Sequence, residues 1–164
     1  LEFRRVLFRS RLLRVLEMAG EKKAISYVKD RIWDVDKSVQ VAASNALLTL
    51  MESGIKLDEF VRPILFKGLG VSDNSTVSFA AEGIKKLINN LKKDKLNSFT
   101  KRDASERLVS LRMDIEKTMR NSGDNINNLL KPILELLSNE KSEETPSQPS
   151  EPEENTEEEE MEEE

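Results

Sequence analysis

The chain contains neither cysteine nor histidine. Without cysteine it has no disulfide framework and no thiolate metal site. Without histidine it has no imidazole general base, no Ser-His or Cys-His nucleophile pair, and none of the commonest transition-metal ligand. Aromatic residues make up only 5% of the 164 residues, with Trp33 and Tyr27 the sole members of their types. Few platforms are therefore offered for stacking nucleobases. No run of 18 apolar residues occurs, so no segment reads as a membrane-spanning helix. The six glycines compose neither a G-x-x-x-x-G-K-[ST] phosphate loop nor a G-x-G-x-x-G turn. The expectation is a chain with no catalytic residues, no metal, no cofactor and no small-molecule substrate.

What is present is charge, at 35% of residues against 37% apolar, and it is unevenly spread. Residues 140–164 carry thirteen Glu against Lys141, a net −12, whereas the whole chain is −5, so the remainder is +7. The tail has no apolar periodicity and reads as a disordered acidic segment, because it cannot bury enough surface to offset the entropy of ordering. Solubility is its simplest role. It can also act as an intramolecular competitor for basic surface.

Residues 1–10, Leu1-Glu2-Phe3-Arg4-Arg5-Val6-Leu7-Phe8-Arg9-Ser10, resemble a translated sequencing-library adapter: CTG GAG TTC AGA CGT GTG CTC TTC CGA TCT encodes all ten in order. On this reading the segment is an artefact, the true chain begins at Arg11 as a fragment truncated at its N-terminus, and residues 11–139 carry a net +5.

From Arg11 to about Asn139 apolar residues recur at helical spacing. After Asp73, a natural N-cap, Val77, Ala80, Ala81, Ile84, Leu87, Ile88 and Leu91 form one stripe. Phe60, Val61, Ile64, Leu65 and Leu69 form the stripe before it, closing at Gly68-Leu69-Gly70, where a glycine suits a helix C-terminus by accepting positive φ. Ala24, Tyr27, Val28 and Ile32 predict a short helix, Asp34-Val35-Asp36 a turn, and Val39, Ala42, Ala43, Ala46, Leu47 and Leu50 a second helix. Tyr27 falls on the apolar stripe. Trp33 sits at a helix end, where packed and exposed positions both fit the pattern. Residues 92–99 read as a polar connector. Leu108, Leu111, Ile115 and Met119 then mark a helix over about 103–120, and Asp124 is placed to cap a last one with Ile126, Leu129, Leu130, Ile133, Leu134 and Leu137 inward.

These segments repeat. A shift of 37 places Ala24 on Val61, Tyr27 on Ile64, Val28 on Leu65 and Ile32 on Leu69. It also places Asp36 on Asp73, Ser38 on Ser75, Ala43 on Ala80, Leu47 on Ile84 and Leu50 on Leu87. A shift of 69 puts Phe60-Val61-Arg62-Pro63-Ile64-Leu65 over Leu129-Leu130-Lys131-Pro132-Ile133-Leu134. One register held through two helices and the turn between them is the signature of a repeat.

The run from Met18 through Asp36, Val39, Ala42-Ala43, Ala46-Leu47 and Leu50, followed by a second unit over residues 60–91, resembles the HEAT repeats, particularly the short type related to phycobilin-lyase repeats. Residues 129–137 resemble the first helix of another unit, and residues 11–17 the end of a preceding second helix. The resemblance implies an all-α fold, an α-solenoid of antiparallel helix pairs. Its parts would be repeats over 11–92, a connector and divergent C-terminal helix pair over 93–139, and the tail. In one respect the chain departs from the family: Arg often follows the Val of the second helix and pairs with the turn Asp, whereas Gln40 and Ser78 stand there.

Solenoids bind partners on an extended concave face built of second helices. The function expected is a non-enzymatic scaffold for protein–protein interaction through Gln40, Ser44, Ser78, Glu82, Lys85, Lys86 and Asn89. The alternative is a nucleic-acid-binding module using the basic cluster at 85–102 (Lys85, Lys86, Lys92, Lys93, Lys95, Lys101 and Arg102), with weak polyanion binding opposed by the tail. Asp34 and Asp36 could form an acid/base pair, but a turn and an N-cap account for both more simply. The compartment expected is the cytoplasm.

Overall fold

The computed structural model describes residues 2–20, 22–51 and 55–138, and the acidic segment 140–164 lies outside them. The described residues form seven α-helices and one 3-10 turn, without a strand. The protein is all-α.

Helix α1 spans Glu2–Ala19, so the adapter-like residues and those after Arg11 share one helix. Val6 packs partly against the core. The 3-10 turn Lys22–Ala24 leads into the short α2, Ile25–Arg31. Helix α3 is Lys37–Leu50 and α4 is Ile55–Leu69. Helix α5, Asn74–Lys95, runs well into the stretch expected to be a connector, leaving only a short turn before α6, Lys101–Asn121. Helix α7 is Asp124–Ser138. No described helix is long and apolar enough to cross a membrane.

Two of the three anticipated caps form. The Asp36 carboxylate accepts from the N–H groups of Ser38 and Val39, and that of Asp73 from Thr76, satisfying donors that have no partner inside the helix. Asp124, by contrast, is the first residue of α7, and the Gly123 carbonyl before it accepts from Ile126 and Asn127. Gly68 also differs from expectation. Neither it nor Gly70 has positive φ; the left-handed glycine among the described residues is Gly20, at the end of α1. Gly68 lies inside α4, where an added Cβ would stand 2.6 Å from Val41 Cγ2. Its missing side chain serves the close approach of α4 to α3.

Helix α3 is the centre of the molecule. Helices α1, α2, α4 and α5 all pack on it, and α5 in turn packs on α4, α6 and α7. Each of α2/α3, α4/α5 and α6/α7 is a contacting pair. Three of the apolar pairs 37 apart are wholly buried at both members: Val28 and Leu65, Ala43 and Ala80, and Leu47 and Ile84. Tyr27 and Ile64 are each half-buried against the core. Helix α7, which holds the 129–134 match to 60–65, packs on α5 and α6, two elements that α4 also contacts.

Two buried amides tie the central helices together. Asn45 Nδ2 donates to the Phe79 carbonyl, and Asn90 Nδ2 to the Leu48 carbonyl, both at 2.9 Å. The hydrogen bonds run from α3 to α5 and from α5 back to α3, which fixes their relative register more sharply than apolar contact alone.

Candidate interaction surface

Ser78, Glu82, Lys85 and Asn89 recur at helical spacing along α5 and are all exposed, forming one polar stripe. Helix α1 lies close to this edge. The Arg14 guanidinium sits 4.3 Å from the centroid of the Phe79 ring, a cation–π contact. The carboxylate of Glu17 pairs with Lys86 and accepts from Thr49 Oγ1 at 3.2 Å. Lys86 also lies 3.4 Å from Glu82. Between α1 and α5 runs a narrow groove with Ala42 and Asn45 of α3 at its base.

The residues expected on α3 do not join this surface. Ser44 is completely buried, its Oγ donating to the Gln40 carbonyl, so it offers nothing to a partner. Gln40 is half-buried, donating through Nε2 to the Asp34 carbonyl at 2.5 Å and accepting from Lys37 Nζ at 3.2 Å. The reason is the number of neighbours. Every residue from 41 to 48 is buried, so α3 has no solvent-facing side. A signal was available in its composition: after Lys37 this helix carries no charged residue, as befits an element covered all round.

The turn before α3 is similarly occupied. Asp34 is buried, with Arg9 Nη1 at 3.1 Å and Arg31 Nη1 at 3.7 Å from its Oδ2, while its Oδ1 accepts from the Asp36 N–H. Asp36 is bound by the start of α3. Turn and cap thus account for both carboxylates. Gln40 also binds this turn, donating to the Asp34 main-chain oxygen.

The basic cluster is divided. Lys85 is exposed on the α5 stripe, but Lys86 is engaged by Glu17 and Glu82. Lys92 Nζ donates to the Leu136 carbonyl at 2.7 Å, neutralising the negative end of α7. Arg102, on α6, reaches Glu106 at 3.2 Å. Phe99, in the turn between α5 and α6, is almost fully exposed.

Periodicity did not single out two arginines that join α4 to α6. Arg62 donates to Asp114 through Nε and Nη2, at 2.9 and 2.6 Å, and to Ser110 Oγ at 2.9 Å. Arg107 donates to Asp58 at 2.5 Å, and to Glu59 and Asp103 at 3.0 Å each. Asp58 is only 2% exposed. Burial pushes its carboxyl above the ordinary value, and the opposing pull of Arg107 does not fully offset this. Arg107 is itself held more firmly protonated by Glu59, Asp58 and Asp103, which together outweigh its own desolvation. Phe60, expected on the apolar stripe of α4, is instead 56% exposed, and Trp33 is 77% exposed.

Compared with protein-family models, with curated proteins and with solved structures, the chain matches none. Its class is therefore stated from its own fold, as an all-helical protein.

Proposed function

We propose that this chain is a non-enzymatic, HEAT-like α-solenoid scaffold, in which α2/α3, α4/α5 and α6/α7 are successive helix pairs and a protein partner is bound along a second helix. The observation that carries this reading is the exposed stripe Ser78, Glu82, Lys85 and Asn89 on α5, flanked by Arg14 and Glu17 of α1. Equal burial of the apolar pairs Val28/Leu65, Ala43/Ala80 and Leu47/Ile84 supports the repeat. A repeated unit cannot cover its own apolar face and needs its neighbours to do so. The nucleic-acid alternative has less support, because Lys86 and Lys92 already serve contacts within the fold.

Site-specific photo-crosslinking tests the scaffold reading. A photoreactive residue placed at Ser78 or Lys85 of the full chain should capture one defined protein from an extract of the source cells. Capture should be lost in Glu82→Lys/Lys85→Glu, and a probe at exposed Asn128 on α7 should not yield the same adduct. Indistinguishable adducts from stripe and control positions would refute the assignment.

A further inference from the structure

The row α2, α4, α6 is closed on one side and open on the other. Arg62 and Arg107 join α4 to α6 through Asp114, Asp58 and Glu59. Among the described residues no such ion pair joins α2 to α4, and the few contacts between these helices leave a groove of about 370 Å³. That is the size of a small ligand or peptide-anchor site. Leu47 of α3 and Met51 just after it floor the groove. Each wall presents a lysine and an aromatic four residues apart: Lys29 with Trp33 on one side, Lys56 with Phe60 on the other. Trp33 and Phe60 are both largely exposed. Among the described residues none that lines the groove is acidic.

We infer that the Trp33–Phe60 groove docks an acidic amphipathic helix of a partner protein, and does so separately from the α5 stripe. The apolar floor and aromatic rims call for apolar anchors at i, i+3, i+4 and i+7. Two lysines with no carboxylate among the lining residues select a helix whose flanks are Glu or Asp, and disfavour a basic one. Seated there, such a helix covers two exposed aromatics and fills the gap that the arginine pairs close between α4 and α6. Trp33 and Phe60 would supply much of the binding energy, as aromatics that become desolvated on binding commonly do.

Trp33 is the chain's single tryptophan, so its emission reports directly on the groove. The probe is a synthetic 14-residue peptide with Leu on one helical stripe and Glu elsewhere, titrated into the full chain. The expected result is a saturable blue shift, with the same peptide carrying Lys for Glu binding about tenfold or more weakly. Phe60→Ala should weaken the Glu/Leu peptide about tenfold, and the surface pair Lys29→Glu/Lys56→Glu should reverse the preference between peptides while leaving far-ultraviolet circular dichroism unchanged. Equal binding of both peptides, or emission unmoved by either, overturns the proposal. It is also overturned if sedimentation shows a dimer that shields Trp33, because a second copy is then the occupant. Resistance of Trp33 to acrylamide quenching in the free monomer overturns it too, because the groove is then filled by the chain itself.

Discussion

Asn45 Nδ2 donates to the Phe79 carbonyl at 2.9 Å, and the other end of the same amide abuts Gly83: a Cβ built there would overlap Asn45 Oδ1 and stand 2.5 Å from Leu65 Cδ2. Helix propensity favours Ala over Gly by about 1 kcal/mol in a helix interior. Overpacking a close contact costs about 1–3 kcal/mol, and the amide cannot retreat without losing its bond to α5. Gly83→Ala is therefore expected to lower stability by about 1–2 kcal/mol net, read as a lower urea midpoint. An equal or higher midpoint would mean that α3 and α5 separate freely.

The Arg107–Asp58 pair should behave as a buried ion pair whose parts are worth more than the whole. Arg107→Met leaves the Asp58 carboxylate buried without its principal partner, and breaking a buried pair from one side costs about 3–5 kcal/mol. Because Arg107 keeps 23% of its side-chain exposure, about 2–4 kcal/mol is expected at pH 7. The double variant Arg107→Met/Asp58→Leu should recover most of that loss. The sign with pH follows from the raised carboxyl. Asp58 favours the folded state below its unfolded value of 3.8 and loses that contribution as pH rises through its folded pKa. The Arg107→Met deficit should accordingly shrink in acid, measured by denaturant unfolding at pH 7 and pH 4. A deficit that is constant or grows on acidification contradicts this.

Asp73 has the opposite sign. The Thr76 hydroxyl and then its N–H hold the carboxyl below 3.8, so its contribution is present above that value and is lost as pH falls through the folded pKa. Loss of an N-cap costs about 0.5–2 kcal/mol. Asp73→Ala should show a deficit of that size at neutral pH, fading toward zero in strong acid. An undiminished deficit at low pH would assign the role to packing instead of charge.

Leu47 and Ile84 occupy equivalent places on α3 and α5 and are wholly buried. Replacing either by Asp places an uncompensated charge in the centre of the molecule, a cost of several kcal/mol set against a total stability of about 5–15 kcal/mol. Leu47→Asp or Ile84→Asp should abolish cooperative thermal unfolding. A melt like the parent's would show that neither position is in the core.

Much of the local and periodic information was legible in the chain, though not the Asp124 cap or the Gly68 turn. Asp36 and Asp73 cap their helices because a carboxylate one residue before a helix has unpaired N–H groups within reach, whatever lies beyond. The apolar pairs Val28/Leu65, Ala43/Ala80 and Leu47/Ile84 are buried alike because equal spacing turns equal apolar faces inward. What spacing does not encode is how many neighbours a helix has. Four helices surround α3, so Ser44, polar and on the side expected to face a partner, is interior, while Phe60 on α4 faces solvent because α2 does not reach it. Gly68 and Gly83 matter for closeness between helices, and Arg62 and Arg107 for partners about fifty residues away. These are relations between segments distant in sequence. Only packing in three dimensions brings them together, because side-chain volume and charge act over a few ångströms of space and not over a count of residues.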